Sequence, residues 1–159
     1  MSDASDLAAR WFALAEAGDL RALCRALAVG KRRKEAARDL MLRATSRIAS
    51  FQQALLVGLA SPSPWLRAEC AHALDTFGDA AARPALARLF DDPIPRVRAA
   101  AIHALSCHAC SDAKPGALEA GLRERIAAAA AGDVSRKVRL HASVALAGDR
   151  PPRPAAAGL

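Results

Sequence analysis

Three side chains that can ligate a metal lie between residues 103 and 110, and a fourth lies one repeat earlier. His103, Cys107 and Cys110 are spaced at i, i+4 and i+7, and they share one helix face if the helix continues that far. His72 occupies the matching place 31 residues earlier. Imidazole and thiolate groups are ligands that zinc prefers. The sequence has only one Cys-x-x-Cys pair, and a helix that ends near Cys107 would break the face. The pattern permits zinc without requiring it, and we predict no metal and no cofactor.

Catalytic groups are not indicated elsewhere in the sequence. No serine, histidine and acid combination fits a nucleophile motif, and no glycine-rich phosphate loop is visible. His141 stands alone, and Cys24 and Cys70 fit small core positions. We therefore predict a protein that is not an enzyme and has no catalytic residue.

Positive charge is concentrated in one short segment. Residues 31–47 contain seven basic and two acidic side chains, a local charge of +5, which leaves +2 of the total +7 for all other residues. Four cations stand where a helix would begin, and they oppose the helix dipole there. An arrangement that is locally unfavourable suggests an anion-binding role, although a solvated helix face explains it too. The predicted binding residues are Lys31, Arg32, Arg33, Lys34, Arg38 and Trp65, which looks exposed because Arg96 replaces it in the next repeat.

An internal repeat must position these groups. Residues 62–74 recur as residues 93–105, and a third copy runs from Lys137 to Leu146. In each copy, the apolar residue before an arginine lies eight residues before a leucine. This is helical spacing, so the two apolar side chains share a face.

Each repeat is predicted to contain two helices. Gly78 and Asp79 suit a helix end and the cap of the next helix, which carries a second apolar stripe. Extended along the chain, the pattern predicts an all-α fold of about nine helices, a right-handed α-α superhelix of the solenoid type. The third helix is predicted over about 31–47 and the fourth over about 49–60, while an eighth begins at Pro115.

These repeats resemble the HEAT repeats, in particular the short bacterial kind also seen in bilin lyases. The likeness rests on an aspartate six residues before an arginine, in Asp92–Arg98 and Asp133–Arg139, and on the turn at residues 78–79. The resemblance implies a ladder of aspartate and arginine contacts between successive repeats. Ser61 replaces the aspartate before Arg67, so the first rung is the exception. No residue supports a lyase activity.

The same pattern sets the domain and partner predictions. We predict one domain over residues 1–148, strongest over 61–148, and a disordered Pro/Ala tail over 149–159. No membrane span or signal peptide is expected, and reduced thiols indicate a cytoplasmic protein. The predicted function is a non-catalytic scaffold that binds another protein on a concave surface lined by the second helices. Nucleic-acid backbone binding through residues 31–47 is the alternative, and a homodimer through the C-terminal end would cover Leu140 and Val144.

Overall fold

A computed structural model describes residues 2–28, 31–107 and 119–148. Over these residues the chain forms nine α-helices and no strand, which confirms the all-α solenoid class. Two short 3-10 turns, Ala80–Ala82 and Leu89–Asp91, flank the sixth helix. The helices are α1 (Ser2–Glu16), α2 (Leu20–Leu27), α3 (Lys31–Arg43), α4 (Thr45–Gly58), α5 (Pro64–Phe77), α6 (Arg83–Arg88), α7 (Pro95–Ser106), α8 (Ala120–Gly132) and α9 (Arg136–Gly148).

The predicted third helix is too long. It ends at Arg43 because Ala44 leaves the helical range, with φ −89° and ψ 55°, and α4 begins at the next residue. This break lets α3 pack on α1 while α4 packs on both α1 and α5. No glycine or proline marks the break in the sequence. The predicted start of the eighth helix at Pro115 lies outside the described residues, as does the predicted tail.

The helices pack in a regular order. Helices α2, α5, α7 and α9 contact one another in succession and form one layer. Helices α4, α6 and α8 each pack on the helix that follows them in the chain. Within the repeats, α5, α7 and α9 are the first helices, and the second helices α6 and α8 also meet, since Arg125 of α8 donates to the Ala87 carbonyl of α6. The partner surface on the second helices stays a prediction. Across the described ranges, every helix is too short or too polar to traverse a bilayer.

Large aromatic side chains fill the core beside α1. Trp11 and Phe51 both lie edge-to-face against Phe77, with ring centroids 5.4 Å and 5.6 Å apart, and Phe12 contacts Phe51 at 5.9 Å. All four rings are buried. Edge-to-face pairs of this kind contribute stability beyond the area that they bury. This cluster joins α1, α4 and α5.

Small side chains dominate the core between the repeats. Val97 and Val138, each at the position before the repeat arginine, are fully buried. Buried alanines line the contacts between α5, α7 and α9. Cys70 is buried where the next repeat has Ala101, as predicted. A Cβ atom added at Gly58 would lie only 2.3 Å from the Cys70 Sγ atom. Close approach of α4 to α5 thus requires glycine at this point.

The aspartate–arginine ladder is present, and it runs forward along the chain. The Arg67 guanidinium donates to both carboxylate oxygens of Asp92 at 2.7 and 3.1 Å, and Arg98 binds Asp133 in the same way at 2.7 and 2.8 Å. Each arginine thus pairs with the aspartate of the following repeat. Arg67 therefore pairs with Asp92 even though Ser61 replaces the aspartate of its own repeat. Ser61 stands where an arginine from an earlier repeat would bind.

Burial and pairing act against each other on the ladder carboxylates. Burial alone would raise the pKa of Asp92, but hydrogen bonds from Arg67 and the Ile94 backbone outweigh it and lower the pKa. For Asp133 the Arg98 hydrogen bond is the dominant cause, and the pKa is again lowered despite desolvation. Both carboxylates are therefore held in the ionised form that the arginines need.

Candidate functional site

Three histidines form a column across the first-helix layer. His72 of α5, His103 of α7 and His141 of α9 lie edge to face, with successive ring centroids 6.2 and 5.9 Å apart. The prediction that His141 stands alone is wrong. Val144 occupies the repeat position that matches His103, and His141 lies one helical turn before it, so both residues share a face.

Charge repulsion and desolvation act on this column. Loss of hydration lowers the pKa of His72 and of His141, and repulsion from His103 lowers both further. Glu69 opposes the change at His72, while the Glu69 carboxylate also pairs with Arg96 on the same layer. The histidine column therefore favours neutral imidazoles at its two ends.

A carboxylate, an imidazole and a thiol converge where α5 meets the end of α7. The Asp75 carboxylate is 3.3 Å from Nε2 of His103. One ligand atom each of Asp75, His103 and Cys107 lies within 4.8 Å of the others. The helix ends at Ser106, with Cys107 as its C-terminal cap, in agreement with the predicted end.

The structure changes the set of possible metal ligands that the sequence suggested. It brings Asp75, rather than His72, to His103 and Cys107. Cys110 lies outside the described residues. Sequence reasoning missed Asp75 because a single aspartate in an apolar helix gives no motif. The available signal was its spacing, three residues after His72 and therefore on the same face.

The predicted basic residues are only partly described. Helix α3 begins at Lys31, as predicted, but the side chains of residues 31–34 lie outside the described atoms. Arg38 is half-buried. The predicted exposure of Trp65 is wrong, because α2 packs on α5 and the Arg21 guanidinium lies 5.5 Å from the Trp65 ring centroid. Trp65 therefore packs against the core and is half-buried.

Another basic surface lies between α1 and α2. Arg10, Arg21 and Arg25 line an open groove of about 520 Å³, together with Asp19. All three arginines are exposed. No local sequence pattern indicates this groove, since its cations are spread over two helices and do not form a run.

The last described layer leaves one ladder position open. Arg139 donates to the backbone carbonyls of Asp133 and Val134, just as the earlier arginines bind their own loops. Among the described residues, no carboxylate pairs with its guanidinium. Nearby, Val134, Leu140 and Val144 are 90%, 62% and 64% exposed. We define Val134, Arg139, Leu140 and Val144 as the end face.

The end face corresponds to positions that are covered in the other repeats. Leu140 follows Arg139 as Ala99 follows Arg98 and as Ala68 follows Arg67. Ala99 is 2% exposed and Ala68 is fully buried, since the next helix layer covers each of them. Leu140 therefore occupies an interface position without a neighbouring layer in the described part of the chain.

Comparison with known proteins identifies the repeats. Residues 52–130, about half of the chain, match the family model for HEAT repeats. The chain is a HEAT-repeat protein. No protein of curated function matches it. The match runs from the middle of α4 to near the end of α8, so the basic helix α3 and the end face lie on either side of it.

Proposed function

We propose that this HEAT-repeat protein is a non-catalytic scaffold that binds another protein through the end face. The observation that carries the proposal concerns the Arg139 side chain. Its guanidinium binds the carbonyls of its own loop, and among the described residues no carboxylate completes its rung. Repeat units bury their apolar surface by stacking on a neighbour. The end face has the chemistry of such a stacking surface.

The end face defines the chemistry of its partner. The partner must place a carboxylate against the Arg139 guanidinium, in the geometry that Asp92 and Asp133 adopt toward Arg67 and Arg98. It must also cover Leu140 and Val144 with an apolar helix, because an arginine alone gives little affinity at an exposed site. We therefore expect a different protein that contributes an aspartate followed by an apolar helix, in effect one further helical layer.

Site-specific photo-crosslinking tests this proposal. In one variant of the chain, a photoreactive amino acid replaces Leu140. In a second variant it replaces Val57 of α4, which is 58% exposed and serves as the matched control. After crosslinking in lysate, mass spectrometry should identify a partner peptide with the expected aspartate at position 140 and not at position 57. Arg139→Glu should abolish that crosslink while leaving the circular dichroism spectrum unchanged.

Other crosslinking results would contradict the proposal. Crosslinks from position 140 to a second copy of the chain would replace the heterologous partner with a homodimer. Equal capture at positions 140 and 57 would show that the end face has no special role. Loss of capture after nuclease treatment would favour the alternative function.

The alternative is binding to a nucleic-acid backbone near the N-terminus. The exposed arginines that line the groove between α1 and α2 favour it, as does the run of cations that begins α3. Phosphate contacts would make the affinity fall steeply as salt concentration rises. Fluorescence anisotropy with a labelled DNA duplex, over a salt series, measures this dependence.

A charge-matched pair of variants localises such binding. Arg32→Glu with Arg33→Glu should reduce duplex affinity at least about tenfold and flatten the salt dependence. Arg136→Glu with Lys137→Glu changes the net charge equally at the other end of the chain. Equal losses in both variants, or binding that salt does not affect, would reject the α3 site.

A further inference from the structure

We propose that Asp75, His103 and Cys107 bind a zinc-class divalent metal ion. The site is independent of the end face and of the basic helix. His103 is in the last turn of α7, and Cys107 caps that helix by donating its backbone N–H to the His103 carbonyl, which keeps the two residues adjacent. Asp75 is near the end of α5, and the packing of α5 on α7 brings its carboxylate to both.

The distances suit tetrahedral coordination. Zinc bonds of about 2.0–2.3 Å to oxygen, nitrogen and sulfur place neighbouring ligand atoms roughly 3.3–3.7 Å apart in a tetrahedron. Asp75 and His103 are already at 3.3 Å. The Cys107 sulfur lies within 4.8 Å of both ligand atoms. Coordination requires the Cys107 sulfur to lie about 3.7 Å from each of the other two ligand atoms.

The chemical character of the three ligands narrows the choice of metal. One carboxylate, one imidazole and one thiolate together suit a borderline ion such as zinc, whereas calcium and magnesium prefer oxygen ligands alone. Binding converts the Cys107 thiol to a thiolate and releases its proton to solvent. Three protein ligands leave a fourth position for water or for a group from a partner.

Burial is consistent with a charged ligand set. The Asp75 residue is 5% exposed, and a buried carboxylate loses much of its hydration. A divalent cation bound to the carboxylate offsets that loss. His103 remains 35% exposed at its side chain, so an ion can reach the group from solvent.

Cobalt substitution tests the site in the 159-residue chain. Metal-free protein titrated with Co²⁺ should develop thiolate-to-cobalt absorption that saturates at one equivalent and disappears when Zn²⁺ is added. Cys107→Ser should abolish that absorption, and His103→Gln should weaken Co²⁺ binding by at least about tenfold. His72→Gln is the matched control, since it removes a neighbouring imidazole at the equivalent repeat position. It should leave binding unchanged.

Thermal unfolding provides a second measurement that does not depend on absorption. One equivalent of Zn²⁺ should raise the unfolding temperature of the unsubstituted protein and of the His72→Gln variant, because a ligand that binds only the folded state stabilises that state. The His103→Gln protein should show no such rise. Absence of thiolate absorption, or its survival in Cys107→Ser, would overturn the proposal. Loss in Cys110→Ser with full binding in Cys107→Ser would likewise assign the thiolate elsewhere.

Discussion

The two ends of this molecule are held together by different means. Around α1 and α4 the core is built from large aromatic rings that contact one another edge to face. From α5 to α9 the helices pack through alanine and valine, and successive repeats are joined by buried pairs of arginine and aspartate. The chain thus combines an irregular aromatic core around α1 and α4 with a repeated ion-pair contact from α5 to α9.

This difference explains where the recognisable pattern lies. The ladder depends on a local loop and helix geometry that recurs, so an aspartate stands six residues before the arginine in both Asp92–Arg98 and Asp133–Arg139. The first rung, Arg67–Asp92, lies within the match at residues 52–130. An aromatic cluster depends on the shapes of a few large side chains and leaves no period.

Removing the central aromatic ring should have the largest effect. Trp11→Ala is expected to lower the free energy of unfolding by about 3–5 kcal/mol, because Trp11 is fully buried against Phe77. Urea denaturation followed by circular dichroism measures the change. Trp65→Ala serves as the comparison, and we expect less than half the loss because Trp65 is only half-buried. Equal losses at both positions would contradict an aromatic core centred on Trp11.

Breaking one ladder rung should come second. Arg98→Met is expected to cost about 3 kcal/mol of unfolding free energy, since it leaves the Asp133 carboxylate mostly buried without its guanidinium partner. The control is Arg96→Met, two residues before Arg98, which removes an arginine that pairs with Glu69 nearer the surface. This substitution should cost about 0–1 kcal/mol of unfolding free energy. Similar losses in the two variants would show that the buried rung contributes no more than a surface pair.

A methyl group at the junction of the two regions should come third. Gly58→Ala forces its Cβ atom against the Cys70 sulfur and is expected to cost about 1–3 kcal/mol. Cys70→Ala in the same chain removes the sulfur, so the double variant should recover much of that loss relative to Cys70→Ala alone. A double-mutant cycle from denaturation curves measures the coupling. Additive effects would mean that the two atoms do not meet.

The pH dependence of the histidine column should be the smallest effect. Because the folded-state pKa of His72 and of His141 is lowered, the unfolded chain takes up protons first as the pH falls below about 6.5. Their contribution to stability is therefore present above that pH and is lost as the pH falls toward the lowered values. A double variant, His72→Gln with His141→Gln, should flatten the unfolding free energy between about pH 7 and 5. The denaturation curves are measured with a chelator present to exclude metal effects. If the double variant leaves the pH dependence of the unfolding free energy unchanged, desolvation of these imidazoles is contradicted.

Much of the fold could be predicted from the sequence by itself. Apolar spacing of eight residues, Gly78 with Asp79, and the aspartate six residues before each arginine determined the helices, their phase and the HEAT likeness. These features are local, because which residues share a helix face depends only on the backbone period. The burial of Cys70 followed in the same way from its alignment with Ala101.

Only the tertiary structure decided which faces meet. It placed Asp75 beside His103 and Cys107, covered Trp65 with Arg21 and ended α3 at Arg43. The direction of the ladder, from Arg67 forward to Asp92, likewise depends on which repeat stacks on which. The two ladder rungs join residues 25 and 35 positions apart, and their register is set by how whole helices pack. A single helix period contains no information about that register.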